Sequence, residues 1–110
     1  MSESLEQQAV FEYALWRGLP LFAIPNGGKR AIQTAARLKA EGVRPGVPDM
    51  FLPMAAKGYH GLFVEMKRKD GGRLSTRQRD WLELLGANGY KAVVCHGADE
   101  AIREIEAYLA

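Results

Sequence analysis

Apolar residues at Val10, Phe11, Ala14 and Leu15 recur at helical spacing between about Glu3 and Arg17, and Gly18 with Pro20 closes that segment. The short run "LFAI" then predicts a strand, bounded by the turn cluster "PNGG". "RAIQTAARLKAEG" predicts a second helix that stops at Gly42, and "VRPGVP" a loop. "DMFLPM" and "GLFVEMK" predict two neighbouring strands joined by "AAKGYH", with Pro53 ending the first strand early or placing it near an edge. After the polar turn "RKDGGRL", Ser75 and Gln78 form an S-x-x-Q capping box. It starts a helix through about Asn88, with Trp81, Leu82 and Leu85 as the apolar face and Trp81 in the core. A strand "KAVVC" and a helix "DEAIREIEAYL" complete the order. Helices alternating with strands in this way predict an α/β sandwich around a mixed sheet.

Residues 1–110 make one domain of ordinary globular balance, 47% apolar and 25% charged. No apolar run approaches the roughly 20 residues of a membrane span, and the acidic start "MSESLEQQ" lacks a signal-peptide pattern. A cytoplasmic location is expected. The lone Cys95 excludes an internal disulfide and reads as a small buried residue, and no Cys or His cluster has zinc spacing. His60 and His96 read as structural. The net charge of +2 hides an asymmetry: the segment from Lys29 to Arg79 carries +8 and the remainder −6. A basic face for a polyanion follows, against the plainer reading of solvated surface cations.

Charged groups set into the most apolar run of the chain need a partner or water. In "LFVEMK" the alternation of a strand sends Leu62, Val64 and Met66 one way and Phe63, Glu65 and Lys67 the other. By themselves Glu65 and Lys67 could be a surface ion pair worth about 0 to 1 kcal/mol. Asp49 changes that reading. It opens the preceding strand directly after Pro48, so on adjacent strands its carboxylate converges on that of Glu65. Two oxygen donors with room for water and a substrate phosphate suit Mg²⁺. Such an ion polarises a phosphate and generates a nucleophile, while Lys67 orients water or offsets charge in the transition state.

Pro48-Asp49 followed by Glu65-x-Lys67 resembles the signature of the PD-(D/E)XK nuclease superfamily. The surroundings "IPNGGKR", "GVPDMFLP", "YHGLFVEMK", "LSTRQRDWLELLGANGYKAVVC" and "GADEAI" resemble the VRR-NUC domain from about Leu21 to Leu109, in its stand-alone phage and bacterial form. The resemblance implies a restriction-endonuclease-like αβββαβ core, a central mixed sheet flanked by helices, with one extra helix after the first strand and a C-terminal helix. It also implies Mg²⁺- or Mn²⁺-dependent hydrolysis of DNA phosphodiesters in recombination, repair or phage DNA processing. Asp49, Glu65, Lys67 and Gln78 would be catalytic, with Asp49 and Glu65 as metal ligands. In that family an acid of the first helix completes the metal site. Among Glu3, Glu6 and Glu12, Glu6 lies beside Val10 at the edge of the buried stripe and Glu12 on the far side, at 100° per residue. Glu6 is therefore expected as the third ligand, although an acid near a helix N-terminus is mildly stabilising in any case. Gln78 would touch the site or the scissile strand, while the capping box alone also accounts for it.

Lys29, Arg30, Arg68, Lys69, Arg73 and Arg77 flank the site in sequence and are the expected DNA-backbone contacts. Asn26 to Gly28 offers backbone amides for a phosphate, or a plain turn. Stand-alone members resemble homodimeric resolvases of four-way (Holliday) junctions, so branched DNA and a second copy of the chain are the expected partners. Trp16 sits opposite the buried stripe and is expected to cover another surface. Two readings compete: a non-catalytic nucleic-acid-binding module that keeps the basic face, and a structural subunit using that face to dock protein. A nuclease acting on flaps or duplex is a third outcome.

Overall fold

The computed structural model describes residues 2–25 and 32–110. The chain runs α1 (Glu3–Arg17), β1 (Phe22–Ala23), α2 (Ile32–Ala40), β2 (Met50–Leu52), β3 (Leu62–Lys67), α3 (Thr76–Ala87), β4 (Lys91–His96) and α4 (Ala98–Leu109). This is the order expected from the sequence. Ser2 caps α1 by accepting from the Leu5 N–H, and Gly18 closes it in the left-handed conformation at φ +68°. Ser75 and Gln78 form the capping box of α3 in full.

The four strands form one mixed sheet in the order β1-β2-β3-β4, the first two pairings antiparallel and β3–β4 parallel. Phe51 pairs with Phe63 and Met50 with Val64, so the alternation read from "LFVEMK" carries across to β2. One face bears Met50, Leu52, Leu62, Val64 and Met66, all fully buried with Val10 and Ala14 of α1 and Ala101, Ile105 and Tyr108 of α4. The other face bears Phe51, Phe63, Glu65 and Lys67 under α3, which forms the crossover between the parallel strands. Phe51 stacks on Phe63 with ring centroids 4.3 Å apart, and Tyr90 meets Phe63 edge-on. Cys95 is buried as expected, and burial, followed by the charges of Glu104 and Glu100, pushes its thiol up to about 12. No helix among the described residues is long and apolar enough to cross a membrane.

Two expectations need correction. The buried stripe of α1 is Glu6, Val10 and Ala14, whereas Leu15 is 78% exposed beside Trp16 at 81%. The helix is rotated toward Glu6 because that carboxylate has a buried partner across the fold, as shown below. No residue of α3 is fully buried, and Trp81 is half-buried with the Arg44 guanidinium over its ring at 5.8 Å. Helix α3 covers a face that the aromatic cluster and the charged pair already fill, so its apolar side meets the sheet only partly. Trp81 turns instead toward α2.

Candidate active site

Extending the β2–β3 register by one position sets Asp49 opposite Glu65. Buried Pro48 precedes Asp49 and has no N–H to donate, and the Met66 N–H on β3 is held by the Asp49 side chain, whose Oδ2 accepts it at 2.7 Å. The main chain is held as well, because the Ile24 N–H donates to the Asp49 carbonyl at 2.8 Å. The loop leading to Asp49 packs against α3 through Gly46, which adopts φ +91°. A Cβ there would stand 2.9 Å from the Arg77 backbone. The segment carrying Asp49 and the helical turn carrying Gln78 are thereby fixed to each other.

Gln78 does both things read from the sequence. Its N–H donates to Ser75 Oγ at 3.1 Å, and its Oε1 accepts from the Ser75 N–H at 2.9 Å. The same Oε1 accepts from Lys67 Nζ at 3.0 Å, and Nε2 donates to Glu65 Oε2 at 3.2 Å. Lys67 Nζ lies 3.8 Å from that carboxylate oxygen. The amide thus orients the ammonium and the carboxylate together on one strand face.

Glu65 is 2% exposed. Burial first, then the charge and hydrogen bonding of neighbouring Asp49, push its carboxyl up to about 8, with Lys67 pulling it down and Glu3 adding a smaller upward push. Its Oε1 is buried and, among the described residues, meets no hydrogen-bond donor. A pair of carboxyl groups in this arrangement holds a proton at neutral pH unless a cation takes its place. The donor set fits a hard divalent ion: two carboxylates on adjacent strands, one buried oxygen with no donor among the described residues, and an ammonium that is not a ligand.

The α1 acids divide differently from the expectation. Glu6 is buried, but its Oε2 accepts the N–H of Ala98 at the start of α4, and Gly97 (φ +92°) leaves the space: a Cβ there would stand 3.2 Å from Oε2. Glu6 thus supplies the cap that α4 lacks on its own residues. The first-helix acid that acts electrostatically on Glu65 is Glu3, while Glu12 is exposed as expected. Among the described residues, no group of three acids, histidines or cysteines forms a metal-sized cluster. Arg68, Lys69 and Arg73 are exposed on the connection leaving Lys67, and Arg77 is exposed on the first turn of α3. Lys29, Arg30 and Asn26 to Gly28 lie outside the described residues. His96, read as structural, pairs with Lys67 across β3–β4 and so shares its sheet face. Alternation in "KAVVCH" could have shown this only with the strand register in hand.

A profile of the VRR-NUC domain matches residues 18–99. The chain belongs to the VRR-NUC family. A solved structure described as a VRR_NUC domain protein is 28% identical, aligned over 99% of this chain and 88% of its own length, with a TM-score of 0.84. No curated protein is significantly similar. Membership of this nuclease family assigns a nuclease function with DNA as the partner, on an α/β fold shared with that VRR-NUC structure.

Two expected outcomes test the site's electrostatics and wiring. Between about pH 4.5 and about 8 the folded, metal-free protein keeps a proton on Glu65 that the unfolded chain has released. Its stability therefore falls as pH rises through that window, by about 3 to 5 kcal/mol and on the order of 10 °C in Tm. Glu65→Gln should flatten the dependence in thermal melts recorded in EDTA and raise Tm at pH 8; an unchanged slope would refute the proton's location. For Gln78, the two roles separate by variant. Ser75→Ala should cost about 1 kcal/mol of stability with little effect on single-turnover cleavage. Gln78→Ala should lower cleavage about 10- to 100-fold, beyond what its loss of stability accounts for.

Proposed function

We propose that the VRR-NUC domain described here is a divalent-metal-dependent endonuclease that cuts branched DNA, four-way junctions foremost, as a homodimer. The observation that carries the metal dependence is the buried Glu65 Oε1, without a donor and beside Asp49. Asp49 and Glu65 would hold Mg²⁺ or Mn²⁺. When bound, the ion supplies Lewis-acid stabilisation of the phosphate and a hydroxide-like nucleophile. Lys67, held by Gln78, places its ammonium where negative charge grows on the phosphate oxygens or orients the attacking water. Arg68, Lys69, Arg73 and Arg77, with Lys29 and Arg30, would contact the DNA backbone.

Leu15 and Trp16, adjacent on α1 and both largely exposed, are the apolar side chains that a second copy would cover. Leu15 shares a groove with Ala23 of β1, an edge strand of the sheet. A second copy covering this region would set two active sites on two strands, as paired junction cleavage requires.

The test incubates the protein with labelled four-way junction, flap, single-stranded and linear duplex DNA in Mg²⁺, Mn²⁺ or EDTA, alongside its sedimentation behaviour. Symmetric metal-dependent cuts in the junction by a dimer establish the proposal. Cleavage of flaps or duplex alone keeps the chemistry and removes the junction. Binding without cleavage under any metal leaves a binding module.

A further inference from the structure

Between α2 and α3 lies a groove of about 570 Å³, the size of a small-molecule site rather than of a duplex. Leu38, Val43 and Trp81 contribute apolar lining, and Lys39, Arg44 and Arg77 bring three cations. Among the described residues, Asp80 is the one acid lining it. The Arg44 guanidinium lies over the Trp81 ring, 5.8 Å from its centroid. A flat apolar wall beside bidentate cations matches one chemistry above others: an aromatic base joined to phosphates. The second groove, lined by Ser4, Gln7, Phe11, Glu12 and Leu15 among others, has no cation among the described residues and does not match it.

Position ties the groove to the catalytic groups. Arg77 faces it, and the next residue, Gln78, reaches Lys67 and Glu65. Gly46 packs on the Arg77 backbone, so the loop entering the site and the groove share one rigid turn of α3. We propose that this groove holds an unpaired nucleotide of the DNA strand adjoining the phosphate at Asp49 and Glu65. The base takes the place of the Arg44 guanidinium over the Trp81 ring, and the released Arg44 meets its phosphates together with Arg77 and Lys39. The proposal rests on the nuclease reading for the strand's path, and it makes Trp81, Arg44 and Lys39 substrate contacts outside the metal pair. It also gives the enzyme a way to engage a base that has come unpaired at a branch point, because a stacked, paired base has no free face to offer.

The experiment uses Trp16→Phe, which leaves Trp81 as the sole tryptophan, titrated with end-labelled oligothymidylate in EDTA so that nothing is cut. Trp81 emission should fall along the same isotherm as the rise in label polarisation, because a stacked base quenches indole. Arg44→Gln in that background should weaken binding about tenfold and reduce the slope of log affinity against log salt by about 0.7, one phosphate contact on a single strand. Arg44 is exposed, so this variant keeps the test clear of folding even if Trp81→Ala melts early. Polarisation that rises with Trp81 emission unchanged would overturn the proposal, as would an Arg44→Gln protein with the parent's affinity and salt slope. Equal quenching by duplex of the same length would overturn the unpaired nucleotide. Failure of the nuclease reading shows separately, as intact quenching in a protein that cuts no DNA with any metal.

Discussion

Asp49→Asn should abolish cleavage, lowering the single-turnover rate by at least about 10³-fold, while the protein melts at or above the parent temperature in EDTA. The two halves of this result have different causes. Removing the carboxylate takes away one of two anionic oxygen donors and leaves Glu65 alone to hold a cation. The amide oxygen of asparagine can still accept the Met66 N–H, now bonded at 2.7 Å, and it no longer repels Glu65, whose carboxyl Asp49 pushes upward. Asp49→Ala is the poorer variant, because it strips a part-buried N–H of its acceptor at a cost of about 1 to 3 kcal/mol. Junction binding in EDTA, measured by label polarisation, should be unchanged or tighter in Asp49→Asn, since a negative charge beside the scissile phosphate has gone. Parent-rate cutting by Asp49→Asn would remove Asp49 from the reaction.

Lys67→Met should lower the single-turnover rate at saturating metal about 10²- to 10³-fold, with the half-saturating metal concentration shifted far less. Methionine keeps the stem volume and removes the ammonium. In the structure the ammonium stabilises the ionised Glu65, and in the proposed reaction it would stand next to the phosphate where charge develops; the variant separates the two. Losing Lys67 lets the Glu65 carboxyl rise further, so in EDTA the fall of Tm with pH should shift to higher pH. Lys67→Arg should restore the thermal profile more fully than the rate, because its planar fork cannot occupy the place of a single ammonium held by Gln78 Oε1. If metal affinity collapsed and the rate at saturation equalled the parent's, Lys67 would serve only to hold Glu65.

Element order was legible in the chain because each signal is local. Gly18 and Pro20 stop a helix, Ser75 and Gln78 start one, and apolar period separates helix from strand within a few residues. The pairing of Glu65 with Lys67 on one face needed only strand alternation, and the proximity of Asp49 needed only that two consecutive strands be neighbours. What misled was anything depending on the rotation of a helix about its own axis. The stripe of α1 fits Leu15 as well as Glu6 by spacing, and the choice is made by the Ala98 N–H, 92 residues away, which donates to the Glu6 carboxylate. For the same reason, Trp81 read as core although it faces α2 under Arg44.

The sequence by itself determined which residues could do chemistry here: two carboxylates, a lysine and an amide, on segments whose periodicity commits their side chains to one sheet face. Only the tertiary structure decided how they meet. It set Asp49 opposite Glu65 by strand register, buried an oxygen of Glu65 without a donor, gave Gln78 both a cap and a site to serve, and turned Glu6 to α4. Periodicity is a property of neighbours along the chain, whereas register, burial and the sharing of one hydrogen-bond partner are properties of segments that meet only after folding.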